Sequence, residues 1–369
     1  MTDFDVAIIG SGIAGASLAS QLAGAARLLL LEAESQPGYH ATGRSAAFWT
    51  ESYGGPMVQP LTSASGPFLS APPPDISDQP FMHPRGALHI GREADRTLAS
   101  KLLADFAPSG VSITPVSAAE IARRVGHIQS DWTIGLWEPD CCDIDVGGLH
   151  SAYLRAAKRK GAKLACNAAL RRAEFGNGRW ALETAAGNFT AKAIVNAAGA
   201  WADQVAERCD IRPIGITAYR RTVLQLQTDP GFAANLPLVI ALDGSFYFKP
   251  EAGGRIWLSP HDETPSPPCD AAPEEMDIAI AMDRFQQVTN CAQIKLERKW
   301  AGLRSFARDR LPVIGADPEC SAFFWLAGQG GFGIQTAPAT AQLAASLLSG
   351  NITAPAHVDP AHYAPDRFR

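Results

Sequence analysis

The sequence predicts an α/β + β architecture: a Rossmann-type nucleotide-binding domain interleaved with a mainly antiparallel-sheet substrate domain. Three observations carry this. The chain opens at 5–32 with a strand, a glycine-rich turn, a helix and a second strand ending in an acid. Two further apolar strands that run into small residues, at 191–203 and 323–350, lie far downstream, so the nucleotide-binding pieces are split along the chain. Strand-like stretches cluster at 217–260 with no helix among them, which is the pattern of an antiparallel sheet.

Taken in order, residues 5–9 ("DVAII") form an apolar run of strand length. Gly10-Ser11-Gly12-Ile13-Ala14-Gly15 follows, then "ASLASQLAG", a small-residue helix stopped by Gly24, and an apolar run at 27–31 closing on Glu32. This is the order and spacing of a dinucleotide-binding unit. Gly10 permits the tight turn, Gly12 lets the backbone approach a pyrophosphate, and Gly15 lets helix and strand pack closely. The helix N-terminus offers free N–H groups and a positive dipole end to phosphate. Glu32 can accept hydrogen bonds from both ribose hydroxyls and would repel a 2′-phosphate.

Strands are predicted at 86–91, 133–139, 217–227, 237–242, 245–250 and 254–260, and helices at 118–125, 146–161, 201–209 and 274–290. The Pro- and Ser-rich stretches 60–79 and 259–273 read as irregular surface connections. Residues 1–85, 145–215 and 300–369 are assigned to the nucleotide-binding domain, and 86–144 and 216–299 to the substrate domain. The site is expected where the two meet.

Composition narrows the function. With 46% hydrophobic residues among 369, a large core is available, and a net charge of −5 without a basic stripe argues against nucleic-acid binding. The apolar run at 28–31 is far too short to span a membrane. The N-terminal residues lack a signal-peptide pattern, so a cytoplasmic location is expected, with peripheral membrane association left open. Seven cysteines without C-x-x-C signal neither a disulfide framework nor zinc, and the eight histidines lack metal-ligand spacing, so no metal is expected. Cys141 and Cys142 invite a redox reading, but a vicinal bridge is strained and buried cysteine commonly packs as a small hydrophobe.

The first motif does not choose between NAD and FAD. However, "QPGYHATGRSAA" (36–47) stands where a plain NAD domain proceeds to another helix and strand. "NAAGAW" ends a strand in small residues, and "GQGGFGIQT" opens a second helix N-terminus suited to a ribityl chain or a flavin carbonyl. With "IIGSGIAGAS", "SFYFKP" and "WAGLRSF", these stretches resemble the D-amino-acid-oxidase-like FAD-dependent oxidoreductases over the whole chain, and the arginine-specific dehydrogenases among them most. The resemblance implies non-covalent FAD held by Gly10, Ser11, Gly12, Ile13, Ala14, Gly15, Glu32, Ala33, Arg44, Ser45 and Ala46. It adds Ala198, Gly199, Trp201, Gly302 and Arg304, and then Gly328, Gly330, Gly331, Phe332, Gly333 and Ile334. Members with covalent flavin use a cysteine late in the chain; Cys320 precedes a strand and does not match it.

Arginine's planar fork matches a carboxylate in two parallel hydrogen bonds. Arg304 sits in an apolar, small setting where its charge needs a partner, and strand alternation turns Arg220 and Arg221 to opposite faces. The resemblance implies that Arg221 and Arg304 grip the substrate carboxylate, that Tyr53 and Tyr247 assist, and that the backbone at Gly331 accepts the amine N–H. For Arg221, a solvated strand face or a domain-bridging ion pair is the alternative. Residues 50–55 read as a lid hinged by Gly54 and Gly55 that carries Tyr53 to the substrate.

Where the arginine-specific enzymes place a glutamate and a histidine, this chain has Gly86 and Phe48. Phe48, Leu238 and Ile240 would make an apolar wall, with Thr50 and Gln335 leaving a few hydrogen bonds. An unpaired guanidinium there is costly to bury. The expected substrate is therefore a neutral, apolar or aromatic D-amino acid, with an anionic one drawn by Arg85 as the weaker option. The expected reaction is hydride transfer from Cα to flavin N5, giving an imino acid that hydrolyses to a 2-oxo acid and ammonia. Lys249 is the one lysine suggestive of an oxidase, yet its stretch is shared with dehydrogenases, so a quinone or carrier is the expected electron acceptor. Secondary-amine (sarcosine, proline or opine-type) and 2-hydroxy-acid oxidation are the alternatives within the fold, and a non-catalytic flavin-binding subunit is the alternative outside enzymology. A monomer or weak dimer is expected.

Overall fold

The computed structural model describes residues 2–368. Leu28–Leu31 is four leucines, all buried, and such a strand must be covered on both faces. It is: the sheet has a parallel core ordered Phe323–Ala327, Gly187–Asn196, Thr2–Ile9, Leu28–Leu31, Lys163–Ala165. Val313–Ala316 adds antiparallel to Phe323–Ala327, and the hairpin Leu170–Gly176/Arg179–Thr184 adds along the first half of Gly187–Asn196. Helix Ile13–Leu22 is small-residue and almost wholly buried between helices Val146–Arg159 and Ala337–Ser349. On the opposite face Ala7, Leu29 and Leu31 pack in one core with Trp180, Trp325 and helix Ala202–Arg208.

The second sheet has nine strands. Thr217–Asp229 pairs along its length with Gln293–Phe306, and Arg255–Ser259, Tyr247–Glu251 and Leu238–Ala241 follow antiparallel. The one parallel step joins Leu238–Ala241 to Ala87–Gly91, beyond which lie Ile134–Glu138 and Thr114–Val116. Helix Glu275–Val288 covers this sheet, burying Phe285 and Val288 against Leu224, Leu226 and Phe248. The predicted strands and helices are thus present within a few residues. The expected domain division at 300 falls inside the strand Gln293–Phe306, whose pairing runs unbroken past it to Phe306.

One expected irregular connection, 60–79, is instead helical over its first half, in the helix Gln59–Ser70. Pro60 lies in its first turn, where a missing N–H costs nothing. Packing stabilises the remainder: the Ser65 hydroxyl donates to Leu61 O and accepts from the Ala339 amide, and Gly66 lies against the Trp49 indole. A third small sheet, Phe48–Trp49 with Met82–Pro84 and Cys142–Ile144, ties the chain crossings together. All seven cysteines are free. No helix among the described residues is long and apolar enough to cross a membrane.

Candidate active site

A cavity of about 310 Å³ lies where the two large sheets meet. Its nucleotide end is built by the first motif. Gly10 has φ +100°, and a Cβ there would stand 2.5 Å from Ala197 O. A Cβ on Gly15 would come within 1.9 Å of Gly10 O, so Gly15 packs helix on turn and does not itself line the cavity. Ser11 is also withdrawn: its amide and hydroxyl donate to Glu32 Oε2 at 3.1 and 2.6 Å, fixing the acid. Glu32 lines the cavity with Ala33, Gly12, Ile13 and Ala14.

Two residues here carried no assigned role in the sequence reading. Thr42 Oγ1 accepts the Ile13 amide at 2.9 Å and so caps the helix that has Gly12 as its first residue's neighbour. His150 Nε2 donates to Ser11 O at 2.8 Å, and burial pulls its imidazole below the ordinary value, which keeps it neutral. Thr42 lies inside a quoted stretch and was reachable from it; His150 stands on a helix more than a hundred residues away and gave no local signal.

Arg44, Ser45, Ala46, Ala198, Gly199, Trp201, Gly302, Gly330, Gly331, Gly333 and Ile334 line the rest of the cavity. The Arg44 guanidinium is already engaged: it donates to Ala271 O and Ala301 O at 2.8 and 3.0 Å and pairs with Asp270. It joins the two sheets and presents its stem to the cavity. Gly328 and Phe332 do not line it. Gly328 faces Leu311 O, and the Phe332 ring packs with Val58 and Phe306. A cleft with an acid at one end, a helix N-terminus beside it and glycine-walled backbone at the other fits the chemistry of FAD.

Arg221, Arg304 and Tyr247 line one part of the cavity, and Tyr53, which lines neither hollow, stands against Arg304. Pairing of Tyr219 with Arg304 and of Arg221 with Gly302 puts both arginines on one face of adjacent strands. Arg221 is 4% exposed and donates to Asp262 O (2.8 Å) and Glu263 (3.1 Å), while its Nη1 has no partner. Burial, and then the charge of Arg304, pull it down to about 10, so it is still a cation at neutral pH. Arg220, turned to the other face, pairs with Asp277 on the covering helix and with Glu274 just before it. Arg304 Nη1 donates to the Tyr53 hydroxyl oxygen at 2.5 Å. A Cβ on Gly331 would fall 2.4 Å from that hydroxyl and 2.7 Å from Arg304 Nη1, so only glycine keeps this space open. Phe48 closes it, edge-on to Tyr53 at 5.4 Å and to Tyr247 at 5.7 Å. A hollow of about 20 Å³ continues from there past Gln335.

Several expected pocket residues stand elsewhere. Gly86 lines neither hollow: it has φ +76°, and the Trp137 indole occupies the place of a side chain, 2.1 Å from any Cβ. Leu238 and Ile240 pack with Phe48, Tyr247 and Cys141 as the layer behind the wall. Thr50 is fully buried and donates to Glu138 at 2.5 Å, and Gln335 spends its amide on Thr50 N, Tyr53 O and Thr62 Oγ1. Residues 50–53 are therefore held by buried hydrogen bonds and do not form a free lid. Arg85 is paired with Asp143 and bonded to Ala234 O and Leu236 O, so it draws no anion inward. Lys249 faces the same Asp143 at 2.9 Å, and no lysine is among the residues lining the cavity. Burial pushes the Cys141 thiol well above its ordinary value, which makes it a packing residue.

Residues 5–347 match the model of the family described as "FAD dependent oxidoreductase" (DAO). The chain is 27% identical to glycine oxidase of Bacillus subtilis over 242 residues, 64% of this chain and 63% of that enzyme. It thus spans less than two thirds of the length of the curated relatives it matches. Among solved structures, glycine oxidase from Geobacillus kaustophilus superposes with a TM-score of 0.86 at 21% identity, covering 99% of this chain and 98% of that one. L-proline dehydrogenase from P. horikoshii superposes at 0.87, also 21% identical, covering 100% and 98%. At these identities the structures share the fold alone.

Proposed function

The chain belongs to the DAO family of FAD-dependent oxidoreductases, and from that premise we propose that it oxidises the Cα–N bond of a small, neutral amino acid held by its carboxylate. Gly12, Glu32, Ser45, Ala46, Gly199 and the backbone at 330–334 would hold the FAD. Bound FAD supplies the two-electron acceptor for the Cα hydrogen. The observation that carries the proposal is the Arg304–Tyr53 hydroxyl pair over Gly331, with Arg221, whose buried Nη1 is unpartnered, on the same face of the adjacent strand and lining the same cavity. A carboxylate satisfies all three donors and orients the rest of the molecule. A regulatory flavin subunit would have no use for a buried cation with a donor to spare.

The resemblance of the quoted stretches supports a D-amino acid, and a quinone or carrier as electron acceptor, since Lys249 is committed to Asp143. Among the described residues, no carboxylate, histidine or lysine lines the cavity beside Arg221, Arg304 and Tyr247. The amine must therefore arrive neutral, and kcat/KM should rise with pH as the free amine does. A second reading, glycine or a secondary amine such as sarcosine, is favoured by one observation: the hollow that Phe48, Tyr247 and Gln335 leave beside Arg304 is only about 20 Å³. The glycine oxidase relatives support it too. The test is anaerobic mixing of the holoenzyme with D-alanine, D-leucine, D-phenylalanine, glycine, sarcosine, D-arginine and D-glutamate, followed by oxygen. Bleaching by D-alanine over glycine supports the first reading and the reverse supports the second. Preference for D-arginine or D-glutamate contradicts both, and fast reoxidation by oxygen contradicts the dehydrogenase assignment.

A further inference from the structure

A buried acid that belongs to neither the flavin site nor the substrate wall holds the segment bearing Tyr53. Glu138, 2% exposed, ends the strand Ile134–Glu138 in the nine-stranded sheet. Its Oε1 accepts the Thr50 hydroxyl at 2.5 Å and the Ser52 amide at 3.3 Å. Its Oε2 accepts the Ser52 hydroxyl at 2.6 Å and lies 3.1 Å from His89 Nε2. One carboxylate thus takes three bonds from residues 50–52 and one from a histidine on the adjacent strand. Tyr53 follows directly and reaches Arg304. We infer that Glu138 is a positioning residue for substrate binding: it fixes residues 50–52 so that the Tyr53 hydroxyl meets Arg304 where the carboxylate sits.

The physical argument rests on the balance of donors and acceptors. An ionised carboxyl away from water is tolerated only when its lone pairs are filled, and here four donors fill them. Burial alone would push Glu138 up, yet His89, Ser52 and Thr50 hold it below the ordinary carboxylate value. Gln335 grips the same segment from the opposite side, through Thr50 N and Tyr53 O. Residues 50–53 are therefore clamped between an acid of one sheet and an amide that opens a helix of the other. The clamp ties domain geometry to the carboxylate site. The inference rests on the proposed function only for its consequence; the clamp itself can be read without a substrate.

The variant is Glu138→Gln, whose amide has one acceptor oxygen for four donors. Two measurements on the FAD-loaded protein test it: hydrogen exchange of residues 50–55, and affinity for acetate followed by the flavin spectrum. Faster exchange confined to 50–55 is expected, with acetate bound about tenfold more weakly, the weight of one hydrogen bond. Tyr53→Phe should weaken acetate by a similar factor, and the double variant by no more than Tyr53→Phe alone. Unchanged exchange at 50–55, or independent losses that multiply in the double variant, would overturn the inference. A merely structural role would lower thermal stability and leave acetate affinity in place, which also overturns it. If Glu138→Gln does not fold, Ser52→Ala removes one bond to the same carboxylate and must raise exchange at 50–55. Failure of the wild type to bind acetate would count against the proposed function, and the exchange result would then decide the clamp alone.

Discussion

At the residue scale, the site depends on what is missing at position 331 as much as on what is present around it. Gly331 does not have a positive φ, so the backbone would accept alanine. The restriction is space: a methyl group would sit between the Tyr53 hydroxyl and Arg304. Gly331→Ala should therefore retain FAD and thermal stability while kcat/KM falls about 100-fold, the effect of displacing a positioned reactant. Steady-state kinetics and flavin content on the same preparation check this. Gly86 teaches the opposite lesson. Its match to the glutamate of the arginine-specific enzymes made it a specificity position, but nothing local to 86 announces that Trp137, from the strand paired with Ala87–Gly91, fills the space above it. Glu138 was invisible for the same reason: its partners at 50–52 and 89 come together only through pairing of distant strands.

At the element scale, the strand–glycine–helix unit at 2–32 was legible because every requirement of a phosphate cradle is local: a turn, a helix start and an acid on the next strand. The helix Gln59–Ser70 was not, because its composition argues for a loop and its stability comes from Trp49 and Ala339, contacts with remote residues. The expected lid failed likewise. Glycines 54 and 55 do adopt positive φ, but buried bonds to Glu138 and Gln335 immobilise the residues before them. Within the cradle, Ser11 and the Glu34 amide fix Glu32 for its task. Glu32→Ala should weaken FAD binding by about 10–100-fold through loss of charge-assisted bonds to the ribose, measured by titrating the apoprotein with FAD. Unchanged affinity would remove Glu32 from the site.

At the scale of the whole molecule, the two sheets meet around the cavity. Arg44 reaches Ala271 and Ala301, and Trp300 Nε1 donates to Arg44 O. FAD would touch both walls, so it acts as part of the interface. Removing it should lower the melting temperature, and added FAD should restore it in proportion to the logarithm of its concentration; differential scanning calorimetry at several FAD concentrations checks this. The arginines, tyrosines and open Gly331 then make a single claim, that the substrate is held by its carboxylate next to the flavin. The most direct measurement is anaerobic flavin reduction by D-alanine compared with D-alaninamide, and by glycine compared with glycinamide, at a pH where Arg221 is still charged, with each rate expressed per concentration of the neutral amine. Rapid bleaching by one or both acids, and slow or no bleaching by the matching amides, is the predicted result. Equal rates for acid and amide, or oxidation of the amide alone, would contradict the account.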